Sequence, residues 1–110
     1  MKMLLALTIS LGLAALAPAW AEETPSFEIV IKNHKFEPAT LEVPANKKIK
    51  LIVKNQDPTP EEFESYELNR EKVIAGNAQA IIFVGPLEPG TYPFFGEFNQ
   101  ATAQGKLIAK

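Results

Sequence analysis

The sequence has 110 residues, 46% hydrophobic and 22% charged, with 11 lysines and arginines against 13 acidic residues. This composition is typical of one globular domain. A formal net charge of −2 does not provide the basic surface that nucleic-acid binding needs. The chain has no cysteine and one histidine. This composition excludes disulfides, thiolate chemistry and every metal site that requires a cysteine or two imidazoles.

The N-terminus predicts a signal peptide at residues 1–21. Lys2 provides a positive start, residues 3–16 are apolar but too short to span a bilayer, and Ala19-Trp20-Ala21 is a small-x-small cleavage site. An uncleaved anchor helix is the alternative. We therefore expect a domain at 22–110, a bacterial periplasmic location, and no stable membrane insertion after cleavage.

The remaining chain predicts short strands separated by turns. Apolar and polar residues alternate, or apolar residues cluster, in six segments: 27–32, 40–43, 49–54, 79–84, 91–95 and 105–109. Pro58 and Pro60 interrupt the chain after the third of these segments. Residues 69–74 predict a helical turn. The pattern indicates an all-β sandwich or barrel of about seven strands with almost no helix.

Two carboxylates in the acidic segment 61–67 are predicted to share one face of a strand. If the segment is extended, Glu62 and Glu64 project from one side while Phe63 anchors the other in the core. Two carboxylates about 7 Å apart at Cβ can converge on one cation, especially if a loop adds a third ligand. The alternative is a solvated acidic edge strand whose like charges prevent aggregation.

Two further residues are candidate ligands in loops. Gly96 permits a turn, so Glu97 is predicted to lie in a loop rimmed by aromatic residues. His34 lies in the first turn, where a histidine is alternatively structural or merely solvated. The candidate metal ligands are therefore Glu62, Glu64, Glu97 and His34.

Hydrolytic catalysis is poorly supported. With one histidine and no cysteine, nucleophile–base arrangements reduce to Ser/Lys pairs or paired carboxylates. A sandwich of this size offers little room for the sugar cleft that paired carboxylates would serve. We therefore do not expect a hydrolase.

Residues 36–45, with the sequence FEPATLEVPA, resemble the opening of the small cupredoxin-like domains. Later landmarks of that family are matched at 54–57, 91–96 and 105–108. Within the family, the chain more closely resembles the EfeO-type cupredoxin-like proteins of bacterial periplasmic iron-uptake systems, at residues 61–65, 68–74, 85–87 and 96–98. The resemblance implies a Greek-key β-sandwich that binds metal near one end.

The chain departs from the blue-copper members of this family, which hold copper with two histidines, one cysteine and an axial methionine. By the resemblance, Gly96 stands at the cysteine position, Asn99 at the following histidine position and Ala103 near the methionine position. Iron-uptake relatives carry histidine where this chain has Tyr66 or Asn99. No type-1 copper is expected.

The resemblance also carries the acidic positions over to this chain. Glu62 and Glu64 match the paired acids of the iron-uptake domain, and Glu97 matches its acidic loop position. Oxygen ligands favour hard cations, so an iron ion, a copper ion or both are the expected cofactors. A copper ion held weakly by Glu62, Glu64 and His34 would be the electron acceptor in a ferroxidase-type reaction.

The resulting expectation is a periplasmic metal-binding protein that assists iron uptake by oxidising ferrous iron or handing it over. Its expected partners are a membrane iron permease and a second periplasmic iron-binding protein. The alternative is a cupredoxin-fold interaction module that has lost its metal site.

Overall fold

The computed structural model describes residues 23–110, which form a two-sheet sandwich. Along its strands, residues that face the core alternate with residues that face outward. The signal peptide predicted at 1–21 lies outside the described residues. The elements in chain order are β1 (Ser26–Lys32), β2 (Lys35–Glu37), β3 (Thr40–Val43), β4 (Ile49–Asn55), β5 (Glu61–Ser65), β6 (Arg70–Ile74), β7 (Gln79–Val84), β8 (Gly90–Gly96), a 3₁₀ helix (Glu97–Asn99) and β9 (Gln104–Ala109).

The strands form one sheet of four and one of five. The four-stranded sheet has the order β2-β1-β4-β7, and the five-stranded sheet has the order β3-β9-β8-β5-β6. The β1–β4 and β3–β9 pairs are parallel, whereas the other pairs are antiparallel. Strand β5 therefore lies between β8 and the edge strand β6.

The core between the sheets is built from the inward residues of each strand. In β4, Ile49, Leu51 and Val53 are fully buried, and the residues between them are only partly so. Phe63 of β5 stacks on Phe94 of β8 with ring centroids 4.9 Å apart. Burying such aromatic rings contributes strongly to stability, and Phe63 fixes which side of β5 faces outward.

The predicted all-β sandwich is confirmed, but residues 23–110 form nine strands rather than about seven. The helical turn predicted at 69–74 is wrong, because Arg70–Ile74 is strand β6, paired antiparallel with β5. Asn69 has a positive φ of 56°, which closes a tight turn and returns the chain along β5. Pairing with β5 outweighs the local helix preference of these residues.

Within residues 23–110, no helix is long and apolar enough to cross a membrane.

Candidate functional site

Strand β5 turns its odd-numbered residues inward and its even-numbered residues outward. Glu61, Phe63 and Ser65 are buried, whereas Glu62 and Glu64 are half-buried on the outer face of the five-stranded sheet. The predicted common face for the two glutamates and the core anchor at Phe63 are both confirmed. The cause is the period-two geometry of an extended chain.

A third carboxylate joins this pair from the neighbouring strand. Glu71 of β6 lies directly opposite Glu64 in the register. One carboxylate oxygen from each of Glu62, Glu64 and Glu71 lies within 4.8 Å of one from each of the others. Two oxygen ligands on opposite sides of one ion are about 4–5 Å apart, so this spacing is compatible with shared coordination. We call Glu62, Glu64 and Glu71 the outer acidic cluster.

Glu97 lies next to the outer acidic cluster. It begins the 3₁₀ helix Glu97–Asn99, which packs against β5, so the predicted loop is a single helical turn. The carboxyl group of Glu97 lies close to that of Glu64 and raises its pKa. Glu97 is thus a contact of the cluster rather than a member of the three-residue set.

The environment of the cluster disfavours its negative charges. Partial burial, followed by repulsion from Glu71, Glu97 and Glu61, raises the pKa of Glu62. Partial burial, the Glu71 carboxylate and the nearby Glu97 carboxyl group raise the pKa of Glu64. A bound cation would remove this repulsion.

His34 does not belong to the outer acidic cluster. It lies in the tight turn between β1 and β2 with a positive φ of 58°. Its backbone N–H donates to Asp57 Oδ2 at 2.9 Å, and its Nε2 lies 3.4 Å from Thr59 Oγ1. The structure therefore shows His34 in a turn, and its role as a ligand stays a prediction.

Exposed aromatic side chains lie near Glu64 and in the 3₁₀ helix that carries Glu97. Tyr66, which directly follows β5, is 73% exposed, and Phe98 in the 3₁₀ helix is 51% exposed. The ring of Tyr66 lies 5.5 Å from that of Phe95, which is opposite Glu64 in the register. Of the three phenylalanines that flank Glu97 in the sequence, Phe94 is buried in the core, so the aromatic rim predicted around Glu97 stays a prediction.

Two residues of this site, Glu61 and Glu71, were not predicted from the sequence. Glu61 is 2% exposed, and its carboxylate accepts hydrogen bonds from Phe98 N at 2.8 Å, Asn99 Nδ2 at 2.7 Å and Glu62 N at 2.9 Å. Its inward direction could have been predicted, because period-two alternation puts it on the side of Phe63. Predicting Glu71 required identifying 70–74 as a strand.

The residues at the expected blue-copper position do not fit a type-1 site. The chain contains no cysteine, and Gly96 has no side chain to offer. A Cβ added at Gly96 would lie 2.6 Å from Glu61 Cδ and 2.7 Å from Ala103 Cβ. The carboxylate of Glu61 fills this space, and no copper chemistry of the blue type can be derived there.

Comparison with known proteins agrees with this fold. A family model described as a cupredoxin-like domain matches residues 3–109. The uncharacterized protein RP394 of Rickettsia prowazekii is 51% identical over 81 residues, which cover 74% of this chain and 65% of that protein. The aligned region thus spans just under two thirds of that relative.

Solved structures with low sequence identity share the architecture. Auracyanin A, a blue copper protein from Chloroflexus aurantiacus, is 16% identical with a TM-score of 0.70 over 80% of this chain and 100% of that one. The metal-binding domain of the Cu(I)-exporting ATPase CopA from Streptococcus pneumoniae is 16% identical with a TM-score of 0.68, over 84% and 92% of the two chains. By its family match and its fold, the chain belongs to the cupredoxin-like domain family.

Proposed function

We propose that this protein binds a hard metal cation, iron in the first place, on the outer face of its five-stranded sheet. The ligands would be Glu62, Glu64 and Glu71, with Glu97 beside them. The observation that carries this proposal is the convergence of three carboxylates within 4.8 Å. The half-buried charges of Glu62 and Glu64, which the Glu71 carboxylate repels, favour a bound cation over water at this place.

The donor set determines which ions suit the site. Carboxylate oxygens are hard ligands, whereas soft ions such as Cu(I) prefer thiolate and thioether sulfur. Ferric iron is harder than ferrous iron, so an all-oxygen site stabilises the oxidised ion and lowers its reduction potential. This direction is compatible with oxidation of ferrous iron, provided that an acceptor takes one electron per ion. A Cu(II) ion, reduced to Cu(I), is the acceptor we propose to test.

We further propose that the protein works in the bacterial periplasm, beside a membrane iron permease and a second iron-binding protein. The signal peptide predicted at 1–21 and the similarity of residues 61–65 and 96–98 to EfeO-type proteins support this role. An ion held at an open sheet surface can pass to a partner without unfolding the sandwich. That accessibility suits transfer better than permanent storage.

Calorimetric titration of the purified protein tests the binding proposal. Fe(II) under anaerobic conditions and Cu(II) are titrated into the wild type, the double variant Glu62→Gln/Glu64→Gln, and the control Glu37→Gln/Glu88→Gln. Both control residues are exposed glutamates outside the cluster, so the two double variants change the net charge equally. We expect the wild type and the control to bind one ion and the cluster variant to lose it. Equal binding by all three proteins would contradict the proposal.

The aromatic residues near Glu64 favour a second candidate, an interaction module without a metal. Tyr66 is 73% exposed and its ring lies 5.5 Å from that of Phe95, and contiguous exposed apolar surface marks interaction sites. If neither ion produces heat with the wild type, this second function is the better description. If iron binds, measuring Fe(II) oxidation with and without Cu(II) decides whether turnover follows binding.

A further inference from the structure

We propose that Glu61 is a positioning residue that holds Glu97 beside Glu64 and so completes the proposed metal site. The metal part of this inference depends on the proposed function. The placement of Glu97 does not, and it can be tested in the metal-free protein.

Glu61 is an unusual buried group. Glu61 is 2% exposed, and removing a carboxylate from water is costly unless its oxygens are well satisfied. Within the described residues, the ion pairs join Lys54 to Glu28 and Lys110 to Glu42. Glu61 depends instead on neutral donors, namely two backbone N–H groups and the Asn99 amide.

Two of these donors belong to the 3₁₀ helix that carries Glu97. Gly96, at the start of this helix, has no side chain that could cap it. Glu61 Oε1 accepts the Phe98 N–H at 2.8 Å and Oε2 accepts from Asn99 Nδ2 at 2.7 Å. Hydrogen bonds to an ionised acceptor are about twice as strong as neutral ones. The side chain of Glu61, which comes from β5, therefore caps the 3₁₀ helix.

The backbone is also fixed on the other side of Glu97. The Gly96 N–H donates to Ala103 O at 2.9 Å, and Gly96 is paired with Phe63 of β5. With Gly96 and Phe98 both held, the backbone of Glu97 has little freedom, and its carboxyl group, which accepts from Gln100 Nε2 at 3.1 Å, lies close to that of Glu64. Glu61 thus fixes the position of Glu97 on the outer face, although its own side chain points inward.

Comparing Glu61→Leu with Glu61→Gln separates the placement of Glu97 from the loss of the Glu61 charge, because both variants remove the same charge. Gln keeps an acceptor for the Phe98 N–H, and Asn99 can turn its amide to accept from Gln, whereas Leu provides neither bond. In the metal-free protein, we expect slow amide exchange at Phe98 and side-chain NOEs between Glu97 and Glu64 to persist with Gln. Both should be lost with Leu. Their persistence with Leu would overturn the placement role, whether or not any metal binds.

Anaerobic Fe(II) titration then tests the consequence for binding. Disturbing residues that orient metal ligands typically costs about 10–100-fold in affinity, so we expect Glu61→Leu to bind Fe(II) at least about 10-fold more weakly than Glu61→Gln. In the background of Glu97→Gln this difference should shrink severalfold, because the carboxylate that Glu61 places beside Glu64 has been removed. Equal affinities of the Leu and Gln variants, or an undiminished difference in that background, would overturn the inference.

If Glu61→Leu does not fold, Asn99→Ala provides the milder test. It removes only the bond from Asn99 Nδ2 to Oε2. Faster amide exchange at Phe98 and weaker NOEs between Glu97 and Glu64 support the inference, and unchanged values of both contradict it. If the wild type binds no Fe(II), the proposed function fails, but the exchange and NOE measurements still decide the role of Glu61.

Discussion

At the scale of single residues, the outer glutamates are costly to the metal-free protein. The folded state holds Glu62 and Glu64 partly out of water and close to other carboxylates, and both effects raise their pKa values. The folded protein therefore binds protons at these groups more strongly than the unfolded chain does. Stability contributed by the protonated form is present in acid and is lost as the pH rises.

Replacing Glu64 by glutamine should stabilise the metal-free protein at neutral pH. The loss of stability begins as the pH rises above the ordinary glutamate value of 4.5 and is complete above the raised pKa. Thermal unfolding in the presence of a chelator should show a higher Tm for Glu64→Gln at about pH 7 and a smaller gain at about pH 4. Glu37→Gln is the control. A gain that is equal at both pH values would contradict the assigned cause.

Gly96 is required because of the space that Glu61 occupies. A Cβ at position 96 would lie 2.6 Å from Glu61 Cδ and 2.7 Å from Ala103 Cβ, whereas one at Gly90 would have no neighbour nearer than 3.7 Å. Overpacking typically costs about 1–3 kcal/mol. We expect urea denaturation to show that loss for Gly96→Ala and almost none for Gly90→Ala. Equal stabilities of the two variants would mean that the carboxylate moves aside without cost.

At the scale of elements, the β5–β6 hairpin brings the ligands together. Glu62 and Glu64 come from one strand and Glu71 from the other, and the register sets Glu71 opposite Glu64. The connection is held by Ser65, whose buried hydroxyl donates to Pro93 O at 2.7 Å and accepts from Leu68 N at 3.0 Å. The hairpin is thereby fixed to β8 as well as to itself.

Replacing Ser65 by alanine should loosen this connection. It leaves the Pro93 carbonyl and the Leu68 N–H without this partner, at a cost of about 1–3 kcal/mol in unfolding free energy. Urea denaturation measures the loss, and Ser26→Ala, at an exposed position in β1, should leave the stability within about 0.5 kcal/mol of the wild type. A Ser65→Ala protein as stable as the Ser26→Ala control would show that the hydroxyl does not secure the hairpin.

At this scale, the sequence predicts only the features that depend on residues close together in the chain. The outward direction of Glu62 and Glu64 follows from strand period alone, and Phe63 strengthens it. Glu71 could not be predicted in the same way, because Arg, Glu and Lys at 70–72 are good helix formers and only pairing with β5 makes them a strand. Glu61 was missed because a carboxylate is expected on the surface, and two of its three donors lie 37 and 38 residues later in the chain.

At the scale of the whole molecule, the candidate metal site lies on the surface of the sandwich and not in its core. The interior position beside Gly96 is filled by the Glu61 carboxylate, and the converging carboxylates lie on the outer face. The fold class was predictable because many short alternating segments permit few other architectures. The position of the acidic cluster depends on the pairing of β5 with its hairpin partner β6 and with the distant strand β8, and the alternation within β5 does not encode either pairing.

The most direct test of the account is to locate a bound ion. Crystals of the protein soaked with iron should show an anomalous difference peak at the iron edge, bounded by carboxylate oxygens of Glu62, Glu64 and Glu71 at about 2.0–2.2 Å. Crystals of Glu62→Gln/Glu64→Gln should lack that peak. A wild-type map with no peak, or with iron bound away from these three side chains, would contradict the account.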